Sequence, residues 1–239
     1  MFIDIHSHVL PGIDDGPRDW DTCLEMLFKS VESGAKAIIA TPHYHPWKKA
    51  VATEEIINLC REAEQKFCEK HGIVLDIYPG HEIYYSVDIV EKLRSGSVLT
   101  LGQSRYVLVE FQLNAPYQTL YKAVRELRDS GYTPIIAHVE RYTCLKKVGR
   151  IDALKEIGAF LQVNADSHRG PIWDRRSRWV RKCLKKKKID FLASDMHDLK
   201  ERTPIAPEKM RWVHTKLEPQ YQEELLYGNA EAILNTIKG

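Results

Sequence analysis

No apolar run in this sequence reaches the roughly 18 residues that would cross a bilayer, so no membrane insertion is expected. There is no CxxC pair. The five cysteines (Cys23, Cys60, Cys68, Cys144, Cys183) are odd in number and scattered, which excludes a disulfide framework or a zinc ribbon. Cys60 and Cys68 stand in helical register and read as small apolar fillers. Charge of one sign is not in excess: 35 Lys and Arg against 33 Asp and Glu leave +2, too little to call for nucleic acid as a partner. No GxGxxG and no GxxxxGK[ST] follows an apolar run, so nucleotide-binding versions of an open sheet lose support. With no Pro/Gly/Ser-rich linker and no internal repeat, residues 1–239 are expected to form one domain. The opening Met-Phe-Ile-Asp-Ile-His carries a charge within four residues and does not read as a signal peptide; a cytoplasmic location is expected.

Hydrophobic residues make up 44% of the chain and charged residues 28%, enough apolar material for a substantial core without staples. Seven short apolar runs read as buried parallel strands: Phe2–Ile5, Ala37–Thr41, Ile73–Tyr78, Tyr106–Phe111, Thr133–Ala137, Ala159–Val163 and Ile189–Ala193. Helical stripes lie between them. Leu24, Leu27, Phe28 and Val31 repeat at helical spacing, with Asp19 as N-cap and Gly34 past the end. Ile56, Leu59, Cys60, Ala63 and Phe67 form a second stripe, and Leu120, Val124 and Leu127 a third. Further helices are expected within Ile151–Ile157 and Asp174–Lys187, and two or three within Pro207–Lys238. Strands alternating with helices point to a parallel α/β fold, as a closed barrel or an open doubly wound sheet.

The ionisable residues are informative by position. His6, His8, His43, His45, His138 and His197, with Asp4, Glu82, Glu110 and Asp195, lie at or just past strand ends. In a parallel barrel those ends share one face, where the chemistry is kept. His6 and His8, at i and i+2 of an extended segment, point to one side and can grip one cation; imidazole with carboxylate suits Mn, Fe or Zn. Asp4 shares that side by alternation, or else orients a histidine. Asp14-Asp15-Gly16-Pro17 reads equally as a turn before a helix or as a carboxylate folded back over a metal.

These motifs together (Ile3-Asp4-Ile5-His6-Ser7-His8, Asp14-Asp15-Gly16-Pro17, Ala40-Thr41-Pro42-His43, His138-Val139-Glu140-Arg141-Tyr142 and Asp195-Met196-His197) resemble the PHP superfamily, in particular the bacterial manganese-dependent tyrosine phosphatases of the CpsB/YwqE type. The resemblance runs in order over nearly the whole chain. It implies a distorted (β/α)7 TIM-like barrel and two or three Mn2+ ions (Fe or Zn as substitutes) held by His6, His8, Asp15, His43, Glu82, Glu110, His138, Asp195 and His197, with Glu82 bridging. Arg141 and Arg202 would bind phosphate as guanidinium forks, and His43 or His197 would supply a proton. The implied substrate is phosphotyrosine on the C-terminal tail of a bacterial tyrosine kinase, in the control of capsular or exopolysaccharide synthesis. The alternative is a related phosphoesterase acting on histidinol phosphate or nucleic acid. Homo-oligomerisation is left open. Val139 replaces the family's usual proline, and the loop Tyr44–Lys49 matches no family pattern. Asp166 and His168 are not assigned, and His81 should point away from Glu82.

Two motifs compete with this reading. Cys144 and Arg150 have the Cys-x5-Arg spacing of cysteine-dependent phosphatases, but the intervening loop has one glycine and no Ser or Thr follows Arg150, so the match reads as chance. Arg175–Lys188 carries Arg or Lys at nine positions. Its plainer reading is a solvated outer helix; the sharper one is a docking surface for an acidic partner.

Overall fold

The computed structural model describes residues 1–236. In chain order its elements are β1 (Phe2–Ser7), α1 (Trp20–Glu32), β2 (Ala35–Ala40), β3 (His43–Tyr44), α2 (Thr53–His71), β4 (Asp76–Pro79), β5 (Glu82–Tyr84), α3 (Ile89–Arg94), β6 (Tyr106–Glu110), α4 (Tyr117–Asp129), β7 (Thr133–Ile136), α5 (Arg150–Glu156), β8 (Phe160–Asn164), α6 (Arg175–Lys185), β9 (Phe191–Ala193), α7 (Pro207–Lys216), α8 (Pro219–Glu223) and α9 (Asn229–Asn235). Asp19 caps α1 by accepting from the Thr22 N–H at 2.8 Å, a contact that stabilises a helix start by about 1 kcal/mol. The terminal helices match expectation in number, and Ile237 and Lys238 lie outside the described residues.

All the strand pairs are parallel. One ladder runs β1-β2-β4 and the other β3-β5-β6-β7-β8-β9. β2 and β3 are two pieces of one strand, as are β4 and β5. Thr41-Pro42 separates the first pair and Gly80-His81, following Pro79 at the end of β4, the second; proline cannot donate to a ladder. So joined, the pieces make seven strands. The sheet curls back on itself: Ser7 bridges Met196, the Asp195 N–H donates to His6 O at 2.9 Å, and the His8 N–H donates to Met196 O at 2.8 Å. The result is the distorted (β/α)7 barrel, rather than the open sheet.

Alternation sorts each strand into an inner and an outer face. Ile3, Ile5, Ala37, Ile39, Leu108, Ile135, Phe191 and Ala193 fill the interior, where Ala230, Ile233 and Leu234 of α9 join them. Outward residues such as Ile83, Val107, Val109, Ile136, Leu161 and Val163 pack under the helices. Helices α1 and α2 cover Ile38 and Ala40 with Leu24, Leu27, Ile56, Cys60 and Phe67. Cys60 is the filler its spacing suggests, but Cys68 is exposed, because it falls just outside the narrow apolar stripe of α2.

Candidate metal centre

At the inner face, above the apolar fill, the strand ends deliver polar side chains. Register in β1 shifts between Asp4 and Ser7, which pair with Ile38 and Ala40. That bulge re-aims the strand and breaks the alternation expected to keep Asp4 with His6. Asp4 turns to the main chain, accepting from the Ser194 N–H at 3.0 Å and the His6 N–H at 3.4 Å; it reaches none of the imidazole rings. His6 and His8 face the same space, their Nε2 atoms 3.3 Å apart.

Glu82 of β5 sits among four histidines. Its Oε1 is 2.7 Å from His138 Nε2 and 3.3 Å from His6 Nε2, and its Oε2 is 2.9 Å from His43 Nδ1 and 3.3 Å from His8 Nε2. Glu110, at the end of β6, lies 3.6 Å from His138 Nε2 and 3.7 Å from His43 Nδ1. Asp195 Oδ1 lies 3.4 Å from His6 Nε2 and 3.7 Å from His197 Nδ1. Asp15 Oδ1 stands 3.2 Å from His43 Nε2 and 3.3 Å from His197 Nε2. All nine residues expected to hold metal are therefore gathered in one pocket. Their atoms fall into overlapping sets: His8, Asp15, His43 and His197; His6, His8 and Asp195; Glu82, Glu110 and His138. His45 joins His43 and Glu110 in a further set. Two of the nine, His138 (φ 33°) and Asp195 (φ 54°), have left-handed backbones, the kind of strain that surrounding structure sustains at functional sites.

Divalent cations fit this donor set. His43 Nδ1, Glu82 Oε2 and His197 Nε2 are buried without an aligned hydrogen bond among the protein's own atoms, although acceptors and donors crowd them. Such convergence without pairing is costly unless a shared positive charge occupies the middle. The titration behaviour agrees. Burial pushes the His8 and His43 imidazoles down, but the nearby carboxylates of Asp14 and Glu82 outweigh it for His8, and those of Asp15 and Glu82 for His43, raising them to about 9 and about 11. Burial likewise lowers His138, yet Glu110 and Glu82 bring it up to about 9. The pocket's carboxylates thus call for positive charge, which cations would supply while leaving the imidazoles neutral.

The surrounding groups fix the rings. Asp14 Oδ2 pairs with His8 Nδ1 at 2.7 Å and accepts from the His43 N–H at 3.2 Å, while its Oδ1 accepts from the Gly16 N–H at 2.9 Å. Both readings of Asp14-Asp15-Gly16-Pro17 therefore hold: Asp14 makes the turn and Asp15 bends over the pocket. A Cβ on Gly16 would meet His8 O at 2.4 Å, so only glycine lets the turn lie this close. Gln162 Oε1 is 3.3 Å from His6 Nδ1 and accepts from the His138 N–H at 2.6 Å. Asn164 Nδ2 donates to Asp195 Oδ2 at 2.7 Å. Sequence reasoning missed this pair, although two amides alternating with Leu161 and Val163 are a visible signal. At the rim, Arg141 Nη2 donates to Asp195 Oδ2 and Arg202 Nη2 donates to Asp15 Oδ2 at 2.8 Å.

The remaining candidates lie elsewhere. His81 points away, its Nδ1 accepting from the Leu99 N–H at 2.9 Å. Buried His168 packs on Trp212. Arg150 Nη1 donates to the Cys144 carbonyl at 2.7 Å and burial raises the Cys144 thiol pKa, the opposite of an activated nucleophile. Helix α6 buries Val180, Cys183 and Leu184; beyond its end Lys187 pairs with Glu218 and Lys188 with Asp152, each at 2.6 Å.

Fold and pocket define an α/β barrel with a His–carboxylate cluster of the kind that holds divalent cations at the C-terminal ends of its strands. Comparison with known proteins narrows this. Residues 2–235 match the family model described as capsular polysaccharide synthesis, CpsB/CapC, and the chain belongs to that family. It is similar to the tyrosine-protein phosphatase YwqE of Bacillus subtilis (31% identity, over 97% of this chain and 91% of that protein) and to the tyrosine-protein phosphatase CpsB of Streptococcus agalactiae (29%, over 97% and 98%). A crystal structure from work on YwqE of B. subtilis and CpsB of Streptococcus pneumoniae, described as unique metal-dependent tyrosine phosphatases, superimposes with a TM-score of 0.88 at 28% identity, over 98% of this chain and 94% of that one. An amidohydrolase from Mycoplasma synoviae shares the fold alone, with a TM-score of 0.60 at 11% identity.

Proposed function

We propose that this chain is a metal-dependent protein-tyrosine phosphatase acting in capsular or exopolysaccharide synthesis, with Mn2+ as its metal and a phosphotyrosine on the C-terminal tail of a bacterial tyrosine kinase as its substrate. The observation that carries the reading is Glu82 surrounded by four imidazoles, with two guanidinium groups at the rim of the same pocket. Family membership and the names of the relatives support it. A cytoplasmic place follows from such a substrate, and no helix among the described residues is long and apolar enough to cross a membrane.

His6, His8, Asp15, His43, Glu82, Glu110, His138, Asp195 and His197 would hold the cations, with the Glu82 carboxylate central among the imidazoles. When bound, such ions supply a water of lowered pKa and a Lewis acid for the phosphoryl oxygens. Arg141 and Arg202 would take up phosphate oxygens in fork geometry and hold the ester in line, since positioning and charge stabilisation dominate phosphoryl transfer. Asp195 and Asp15 aim those guanidiniums. The departing phenol has a pKa of about 10, so protonation matters less than for an alkoxide. His43 Nε2, beside Asp15 Oδ1, is the atom from which a proton would reach the leaving oxygen; His197 donates its Nδ1–H to the Asp195 carbonyl at 2.8 Å, which leaves its Nε2 a lone pair toward the cluster.

Assaying phosphotyrosine peptide, histidinol phosphate and a single-stranded oligonucleotide side by side, before and after chelation and Mn2+ re-addition, tests the reading. Metal-restored turnover of the phosphotyrosine peptide is expected. Full activity in metal-free protein, or preference for either other substrate, would sink it.

A further inference from the structure

The loop Tyr44–Lys49, which matches no family pattern in the sequence, lies over the cluster. β3 and β5 pair in register, His43 with Glu82 and Tyr44 with Ile83. Alternation sends His43 and Glu82 inward and Tyr44 and Ile83 outward, and the outward pair is buried under the helices. The next inward positions are His45 and Tyr84, whose rings lie 5.8 Å apart. At about 3.3 Å of rise per residue, this second layer stands roughly 6.6 Å beyond the first along the strands. Trp47 returns over it, stacked on His45 at 5.1 Å and edge-on to Tyr84 at 4.5 Å. His45 itself stacks on His43 at 5.0 Å. A layer of imidazoles and carboxylates is thus followed outward by a layer of aromatic rings. Trp47 nevertheless remains 62% exposed, so most of the indole is uncovered. His43 and His45 also border a cavity of about 210 Å³ that reaches Asp15, leaving space beside both layers.

We infer that His45, Trp47 and Tyr84 form the seat for the aryl ring of the substrate, with the indole of Trp47 as its main face. This rests on the phosphatase reading and deepens it by naming what selects tyrosine. An aryl phosphate carries its ring one ester oxygen beyond phosphorus, so phosphate in the inner layer puts the ring in the outer one. An alkyl phosphate offers nothing for that layer to stack on and leaves its rings wet.

The test compares kcat/KM for phenyl phosphate with that for an alkyl phosphate monoester, in Mn2+-loaded wild type, Trp47→Ala and Trp47→Phe, with metal content measured in each. Aromatic pairs contribute about 0.5–1.5 kcal/mol beyond buried area, so the aryl-to-alkyl ratio should fall by about two- to twelvefold in Trp47→Ala, through KM rather than kcat, and return in Trp47→Phe. An unchanged ratio, or an equal loss on both esters, would overturn the seat in favour of Trp47 merely holding its loop. Binding gives a second readout: phenylphosphonate should quench tryptophan fluorescence of wild type, methylphosphonate should not, and Trp47→Phe should lose the response. Wild type that fails to turn over phosphotyrosine peptide defeats the phosphatase reading; wild type that turns it over without quenching by phenylphosphonate defeats the aryl seat alone.

Discussion

Asp14 Oδ2 holds the Nδ1 of His8 at 2.7 Å, which leaves the His8 Nε2 facing the pocket. A ring so oriented binds metal as a neutral imidazole through the free nitrogen, and loss of such a partner costs about 10–100-fold in metal affinity. Asp14→Asn should keep the turn through its amide oxygen, yet weaken Mn2+ binding by that factor, with activity recovered at high Mn2+. Calorimetric metal titration checks it. Unaltered affinity would show that Asp14 serves the turn alone.

Arg141 is aimed by Asp195 and stands at the rim rather than within the imidazole cluster. Removing a group that stabilises charge in the transition state costs about 10²–10³ in kcat. Arg141→Ala is expected to lower kcat on phosphotyrosine peptide by about 10² at undiminished metal content. Arg141→Lys should recover little, because an ammonium lacks the fork. Steady-state kinetics with metal analysis decide; a loss that merely tracks lost metal would reduce Arg141 to a support for Asp195.

The Cys144 thiol is raised by burial, so Cys144→Ser should retain activity within about two-fold and iodoacetamide should inactivate the enzyme little. Abolished turnover with metal still bound would instead point to a cysteine nucleophile.

His81 is buried and must stay neutral for its Nδ1 to accept from Leu99, and burial lowers its pKa to about 4. Between about 4 and the unfolded value near 6.5, the unfolded chain binds the extra proton. Its contribution to stability is therefore complete above about pH 6.5 and is lost as pH falls toward 4. His81→Asn keeps an acceptor without the titration, so urea midpoints of the metal-loaded protein should fall less between pH 7 and pH 5 than in wild type. Equal slopes would mean that His81 protonates freely in the fold.

Much of this was legible because apolar runs and strand-end histidines are local facts. The seven strands follow from Ile, Val and Leu clustering, and His6 with His8 from simple alternation. What escaped depends on register and on pairing partners. Glu82 reads as lying just past Tyr78, whereas it opens β5, a three-residue strand too short to show as a run and defined by its bonds to β3 and β6. Asp4 leaves the cluster because of a bulge that its sequence does not announce. Gln162 and Asn164 support the cluster through residues 24 to 156 positions away, separations that no window along the chain can span.

Helix α9 closes the interior from below, with Ala230, Ile233 and Leu234 set against Ile3, Ile39 and Phe191, and Asn229 Nδ2 bonded to Asp190 O at 2.8 Å. Since α9 follows every strand in the chain, a ribosome delivers all seven staves before their stopper. The nascent barrel must wait with an oily floor uncovered, so chaperone dependence should be greatest in the last moments of translation.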